Sequence, residues 1–70
     1  MITKKDKKFA KQLRKLRKKN KLTQEQVAEK VKVTSKYIQY LESAKRVPSI
    51  KLIYRLAEVL EVKVKDLFNF

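Results

Sequence analysis

The chain has no cysteine, histidine, glycine or tryptophan and a single proline among its 70 residues. Without cysteine there is no disulfide and no thiol nucleophile. With histidine missing too, zinc sites built on those ligands and a Ser-His-Asp triad are excluded. Long apolar runs are also missing. The longest uncharged stretch is the five residues from Tyr37 to Leu41, far short of a membrane span or the core of a signal peptide. Acidic residues are scarce, seven against twenty Lys and Arg, which leaves a net charge of +13. The hydrophobic share of 43% nevertheless places the chain among folded rather than disordered sequences. Seventy residues suffice for one modest core. These absences leave a cytoplasmic, strongly cationic small domain as the expectation, with a polyanion as its natural partner and neither membrane nor cofactor implied.

The charge is uneven. Residues 1–21 hold eleven basic groups and one acid, Asp6, whereas residues 22–70 hold nine basic groups and six acids. Phe9, Leu13 and Leu16 fall at i, i+4 and i+7, one apolar stripe on a helix otherwise covered by Lys and Arg. Thr3 with Asp6 offers a cap and a first-turn anion, and Thr23 with Gln26 has capping-box spacing. The second helix turns Val27, Ala28 and Val31 to one side. Thr34 caps a third with Ile38 and Leu41 as its inner face. Pro48-Ser49 stops the chain and caps a fourth, for which Ile50, Ile53, Leu56, Ala57 and Leu60 form the expected buried stripe. A short fifth turn around Lys65 to Phe68 closes the core with Leu67 and Phe68. Val31-Lys32-Val33 and Val62 to Lys65 alternate like strands but are too short to outweigh the helical period. The fold class is all-α, one compact five-helix domain over 1–70 with residues 1–5 as a basic tail.

Between Gln24 and Ser43, two short helices are separated by a break long enough only for a sharp turn, and the small Ala28 allows their axes to approach. That pattern is a helix-turn-helix, which DNA-binding domains share with other small helical bundles. Here the sequence resembles the phage repressor and Cro-type (XRE-like) helix-turn-helix domains, from about Phe9 to Phe68. Its carriers are Leu13-Arg14-Lys15-Leu16-Arg17, Leu22-Thr23-Gln24-Glu25-Gln26-Val27-Ala28-Glu29-Lys30 and Val33-Thr34. They continue through Tyr37-Ile38, Leu41-Glu42, Lys45-Arg46-Val47-Pro48-Ser49, Leu56-Ala57 and Asp66-Leu67-Phe68.

The resemblance implies a lambda-repressor-like fold that binds double-stranded DNA in a sequence-specific way, as a repressor-type transcriptional regulator with the third helix, about residues 35–43, in the major groove. By position, Ser35, Lys36, Gln39 and Tyr40 become base-contact candidates: Lys36 suits guanine O6 and N7, and Gln39 adenine N6 and N7. Tyr40 suits a thymine methyl or a phosphate, or else packs across the helix. Gln24, Thr34, Lys45 and Arg46 become phosphate contacts. Arg17 and Glu42 match an ion pair that joins the first and third helices. Related domains often dimerise near the C-terminus, which nominates Val62, Val64, Leu67, Phe68 and Phe70. No residue is nominated as catalytic or as a metal ligand, since Glu25/Glu29 and Glu58/Glu61 read as solvated helix spacing.

The chain departs from the family where glycine is usual. Lys21, Lys32, Ala44 and Glu61 stand at helix ends, where a left-handed backbone is costly for any residue with a Cβ. Asn20 is placed to take that conformation one step early, and Lys63 stands where a capping Ser or Thr is usual. A glycine-free scaffold of the same fold, engineered or reconstructed and binding nucleic acid without specificity or serving protein interaction, is therefore the alternative.

Overall fold

The computed structural model describes residues 3–69. Five helices follow in order: α1 (Lys4–Lys19), α2 (Gln24–Val31), α3 (Ser35–Glu42), α4 (Ile50–Val59) and α5 (Val64–Leu67). No strand occurs among the described residues, and both valine-alternating stretches are helix ends and turns. The reciprocal cap at Thr3 and Asp6 starts α1 earlier than the expected tail boundary. The Thr3 N–H donates to the Asp6 carboxylate at 2.9 Å, and the Asp6 N–H donates to the Thr3 hydroxyl at 3.2 Å. Lys4 and Lys5 are consequently helical, and Met1 and Ile2 lie outside the described residues.

Four of the helix starts are local hydrogen-bond devices. Thr23 and Gln26 form a full capping box on α2, the Thr34 hydroxyl accepts from the Tyr37 N–H, and the Ser49 hydroxyl accepts from the Leu52 N–H. At α5 only half a box exists. Asp66 accepts from the Lys63 N–H at 2.9 Å, and the lysine side chain has no acceptor to return.

The core joins Phe9, Leu13 and Leu16 of α1 to Val27, Ala28 and Val31 of α2, Ile38 and Leu41 of α3, Leu52, Leu56 and Ala57 of α4, then Leu60 and Leu67. On α4 the expected stripe is partly wrong. Leu52, Leu56 and Leu60, at i, i+4 and i+8, set the inward direction, and Ile50 falls roughly 120° from it at about 100° per residue. Ile50 is 73% exposed and Ile53 half-buried. Phe68 likewise does not seal the core; it is 44% exposed and stacks on Phe9 with 5.2 Å between ring centroids.

Four helices end in the left-handed region without glycine. Lys21, Lys32, Ala44 and Glu61 have φ of 57°, 62°, 60° and 56°. Each closes a Schellman motif, in which the N–H two residues past the helix end returns to a carbonyl five residues earlier. The pairs are Leu22 to Arg17 (3.2 Å), Val33 to Ala28 (2.9 Å), Lys45 to Tyr40 (2.8 Å) and Val62 to Ala57 (2.9 Å). Leu22, Val33 and Val62 then pack against the core, so burial of the following residue offsets the backbone cost. Asn20 does not take the strained step; its φ is −86°. Its amide instead donates to Leu16 O at 2.9 Å and Leu60 O at 3.1 Å, tying the end of α1 to the end of α4, and Lys21 must make the turn.

Candidate nucleic-acid interface

The buried Ile38 and Leu41 fix which way α3 is rolled. With those two inward, Ser35, Lys36 and Gln39 are exposed, and Tyr37 and Tyr40 are half-buried at the flanks. Tyr40 is held between two ammonium groups, Lys36 on its own helix and Lys45 beyond it, each 5.9 Å from the ring centroid. Cation–π attraction restrains both lysines along this edge. The Ser43 hydroxyl folds back to donate to Gln39 O at 2.9 Å, which leaves the side chain of Gln39 as the polar reach of the helix centre.

Beneath α3 lies a charged knot that sets its distance from α1 and α2. Arg17 meets Glu42 in two parallel bonds, Nε to Oε2 at 2.6 Å and Nη2 to Oε1 at 3.0 Å. Its remaining nitrogen, Nη1, donates to Leu22 O at 2.9 Å, locking the α1–α2 turn. The side chains are 11% and 4% exposed, so the pair is buried, and its bidentate geometry satisfies the charge it removes from water. Gln24 joins the same knot: its Nε2 donates to Glu42 Oε1 at 3.2 Å. Gln24 is the first residue of α2, so its backbone N–H has no partner within the helix and the helix dipole there favours an anion.

The residues singled out from sequence therefore fall into two groups. Gln24, Ser35, Lys36 and Gln39 line one shallow hollow between the starts of α2 and α3, together with Thr23 and Glu25. Thr34 spends its hydroxyl on the cap of α3, while Lys45 and Arg46 extend exposed from the turn after that helix. Sequence reasoning missed Arg14 and Lys21, which share a second hollow with Gln24 and Gln39. Arg14 stands three residues before Arg17 on α1, but among the eleven cations of residues 1–21 that spacing singles out no one residue.

The C-terminal cluster nominated as a dimer contact is divided between core and surface. Leu67 is fully buried and Val62 and Val64 pack against the core, so these three seal the domain; Phe70 lies outside the described residues. No described helix is long and apolar enough to cross a membrane.

A family profile described as Helix-turn-helix matches residues 13–67. A relative in Archaeoglobus fulgidus, known as an uncharacterized HTH-type transcriptional regulator, is 41% identical over 58 residues, covering 83% of each chain. A further regulator of that description, from Methanocaldococcus jannaschii, is 39% identical over 49 residues, 70% of this chain and 74% of its own. Among solved structures, the restriction-modification controller protein C.AhdI of Aeromonas hydrophila is 32% identical, with a TM-score of 0.85 over 89% of this chain and 94% of that one. The clp gene regulator ClgR of Corynebacterium glutamicum, 22% identical with a TM-score of 0.88 over 96% of this chain and 71% of its own, shares the fold. On the profile, the relatives and the rolled-out polar face of α3 together, the chain belongs to the XRE-like helix-turn-helix family of DNA-binding transcriptional regulators.

Proposed function

We propose that the chain places α3 in the major groove of double-stranded DNA and reads a specific site there, as a dimer on two-fold-related half-sites. The observation that carries this reading is the division of α3 into an inner face of Ile38 and Leu41 and an outer face of Ser35, Lys36 and Gln39 beside the start of α2. In this reading Lys36 donates to a guanine edge and Gln39 pairs with an adenine edge, with Ser35 and Tyr40 at the margins. Gln24, Thr34, Lys45 and Arg46 hold phosphates, and Arg14 and Lys21 extend that clamp along the α1–α2 side. The knot of Arg17 and Glu42 positions the reader and touches no DNA. The chain works as a binding protein of the cytoplasm rather than an enzyme, a reading supported by its family of regulators.

The test is binding-site selection from randomised duplexes, followed by Lys36→Ala and Gln39→Ala on the selected site and on random DNA. Each substitution weakens the selected complex by about 1–3 kcal/mol and leaves the random one nearly unchanged. Equal losses on both would return the glycine-free scaffold to favour.

A further inference from the structure

The start of α1, the turn between α3 and α4 and the end of α5 border a groove that the reading face of α3 does not use. Phe9, Val47, Pro48, Ile53 and Phe68 line it, and its volume of about 470 Å³ lies within the range of small-molecule sites. Val47 is 56% exposed and Phe68 44%, so two of the four large hydrophobic side chains left exposed among the described residues border this one hollow. The stacked rings of Phe9 and Phe68 give it an aromatic wall. Its charged residues are Lys5 and Asp6 on α1 and Arg46 in the turn. Asp6 is engaged in the cap of α1, where it accepts from the Thr3 N–H. The side chains of Lys5 and Arg46 make no ion pair or hydrogen bond among the described residues.

We propose that the groove binds a free aromatic monocarboxylate, its ring against Phe68 and Val47 and its carboxylate on Arg46, and that the bound ligand withholds Arg46 from DNA. The effect on DNA rests on the reading above, in which Arg46 holds a phosphate. Charge selects the class of ligand. Lys5 and Asp6 are neighbours on α1 and offset each other, which leaves Arg46, on the turn side, as the uncompensated charge. A guanidinium matches a carboxylate in two parallel bonds. One net cation suits one anionic group, since a second would meet Asp6. The aromatic wall suits a flat ring, which gains from stacking as well as from burial. A DNA phosphate can satisfy Arg46 but leaves the apolar lining in water, so ligand and duplex compete for Arg46 alone.

Size sets the strength. A ligand of about a dozen non-hydrogen atoms in an open groove binds with a Kd of about 0.1–1 mM. Taking one cation from the clamp weakens DNA binding about fivefold at saturation and lowers the magnitude of the salt slope by about 0.9. The loss is the same on every sequence, because a phosphate contact carries no base information. Linkage requires the reciprocal effect, so DNA weakens the ligand by the same factor.

Titration of the full chain with naphthalene-2-carboxylate, followed by amide chemical shifts, tests the site. Shifts should concentrate at residues 5–9, 46–48, 53 and 68. Naphthalene-2-carboxamide, the same shape without the charge, should bind about fivefold or more weakly, and acetate should move none of these signals selectively. Arg46→Gln and Val47→Asn each weaken the probe about fivefold and keep the wild-type melting curve, because both positions are exposed. Duplex binding is then measured in saturating probe against equimolar acetate, which holds the ionic strength fixed. The probe should weaken the wild type about fivefold on selected and random duplexes alike and leave Arg46→Gln unmoved. Shifts spread over every basic surface, equal binding of the amide, probe affinity indifferent to both variants, or groove signals that move with protein concentration in place of probe would each overturn the proposal. Localised binding with duplex affinity unchanged would overturn its coupling to DNA. A chain that selects no site from randomised duplexes would instead defeat the DNA-reading function, and the groove would be judged by the shifts alone.

Discussion

The glycine-free helix ends provide a test of how backbone strain is carried, and Glu61→Gly is its most informative perturbation. Glu61 is exposed, with φ 56°, at the end of α4, where the Val62 N–H must return to Ala57 O. A residue with a Cβ gives up about 1–2 kcal/mol in the left-handed region, and glycine recovers that less the ~0.5–1 kcal/mol of extra freedom it has when unfolded. The backbone gain is therefore on the order of 0.5–1 kcal/mol. A second gain adds to it. Glu61 puts a negative charge at the negative end of the α4 dipole, and its removal contributes about 0.5 kcal/mol. Together these give about 1–1.5 kcal/mol, or a rise in Tm of roughly 4–12 °C for a domain of this size.

Lys32→Gly, at φ 62° after α2, has the same backbone term with the opposite charge term, since a lysine at a helix C-terminus is favourable. It should stabilise by about 0.5 kcal/mol at most. Glu61→Ala separates the two effects, because it removes the charge and keeps the Cβ. In a helix interior alanine is better than glycine by about 1 kcal/mol; at position 61 the order inverts. Urea and thermal melts followed by circular dichroism, with m unchanged, read all three. Alanine equal to or better than glycine at position 61 would show that the left-handed turn carries no strain, and the account of four offset Schellman motifs would fail with it.

Glu42→Ala strands the Arg17 guanidinium in a site that is 11% exposed and removes the Gln24 contact. It should cost about 3–5 kcal/mol in chemical denaturation, against under about 1 kcal/mol if the pair acted as an exposed one. Lys63→Ser supplies the missing half of the α5 box opposite Asp66 and should raise stability by about 0.5–1 kcal/mol in the same melts. If Arg14, Lys21, Lys45 and Arg46 all neutralise phosphates, log affinity for DNA falls with log salt at a slope of about −3.6 per domain; Lys45→Ala lowers the magnitude by about 0.9, and an unchanged slope would remove Lys45 from the clamp.

What could be read from the sequence was what local spacing encodes. The caps at Thr23, Thr34 and Ser49 depend on hydrogen bonds to residues three positions on, and all three lie where the residue types put them. The inner faces of α2 and α3 were legible for the same reason, since Val27, Ala28, Val31, Ile38 and Leu41 repeat with the helix period. Periodicity failed at an element's edge. Ile50 opens α4 about 120° off the inward direction, and only the packed neighbours reveal that Leu52 takes the inner place. Composition failed in α1 for a different reason. With eleven cations among residues 1–21, no pattern of charge distinguishes Arg14, beside Gln24 and Gln39, from lysines that face open solvent. The Arg17–Glu42 pair spans 25 residues, so resemblance to the family, and not local spacing, brought it into view.

The scarcity of acids acquires a structural meaning once they are placed. Asp6 and Asp66 accept backbone N–H groups at the starts of α1 and α5, and Glu42 is matched by Arg17. Those three carboxylates hold helices in place and are largely spent within the fold. Of the remaining four, Glu29 lies on the exposed side of α2 and Glu58 and Glu61 at the end of α4, an element that α3 scarcely touches. Only Glu25 sits in the hollow beside Lys36. The positive field of Arg14, Lys21, Lys36, Lys45 and Arg46 is thus opposed by a single nearby carboxylate. A field of that sign draws any duplex in, so affinity by itself carries no sequence information. In the proposed reading, selectivity comes instead from Lys36 and Gln39 at base edges and from the angle at which α3 is presented. The buried Arg17–Glu42 pair, which Gln24 joins from the start of α2, holds α3 against α1 and α2, so in the proposed reading a pair that touches no DNA sets the angle on which accurate reading depends.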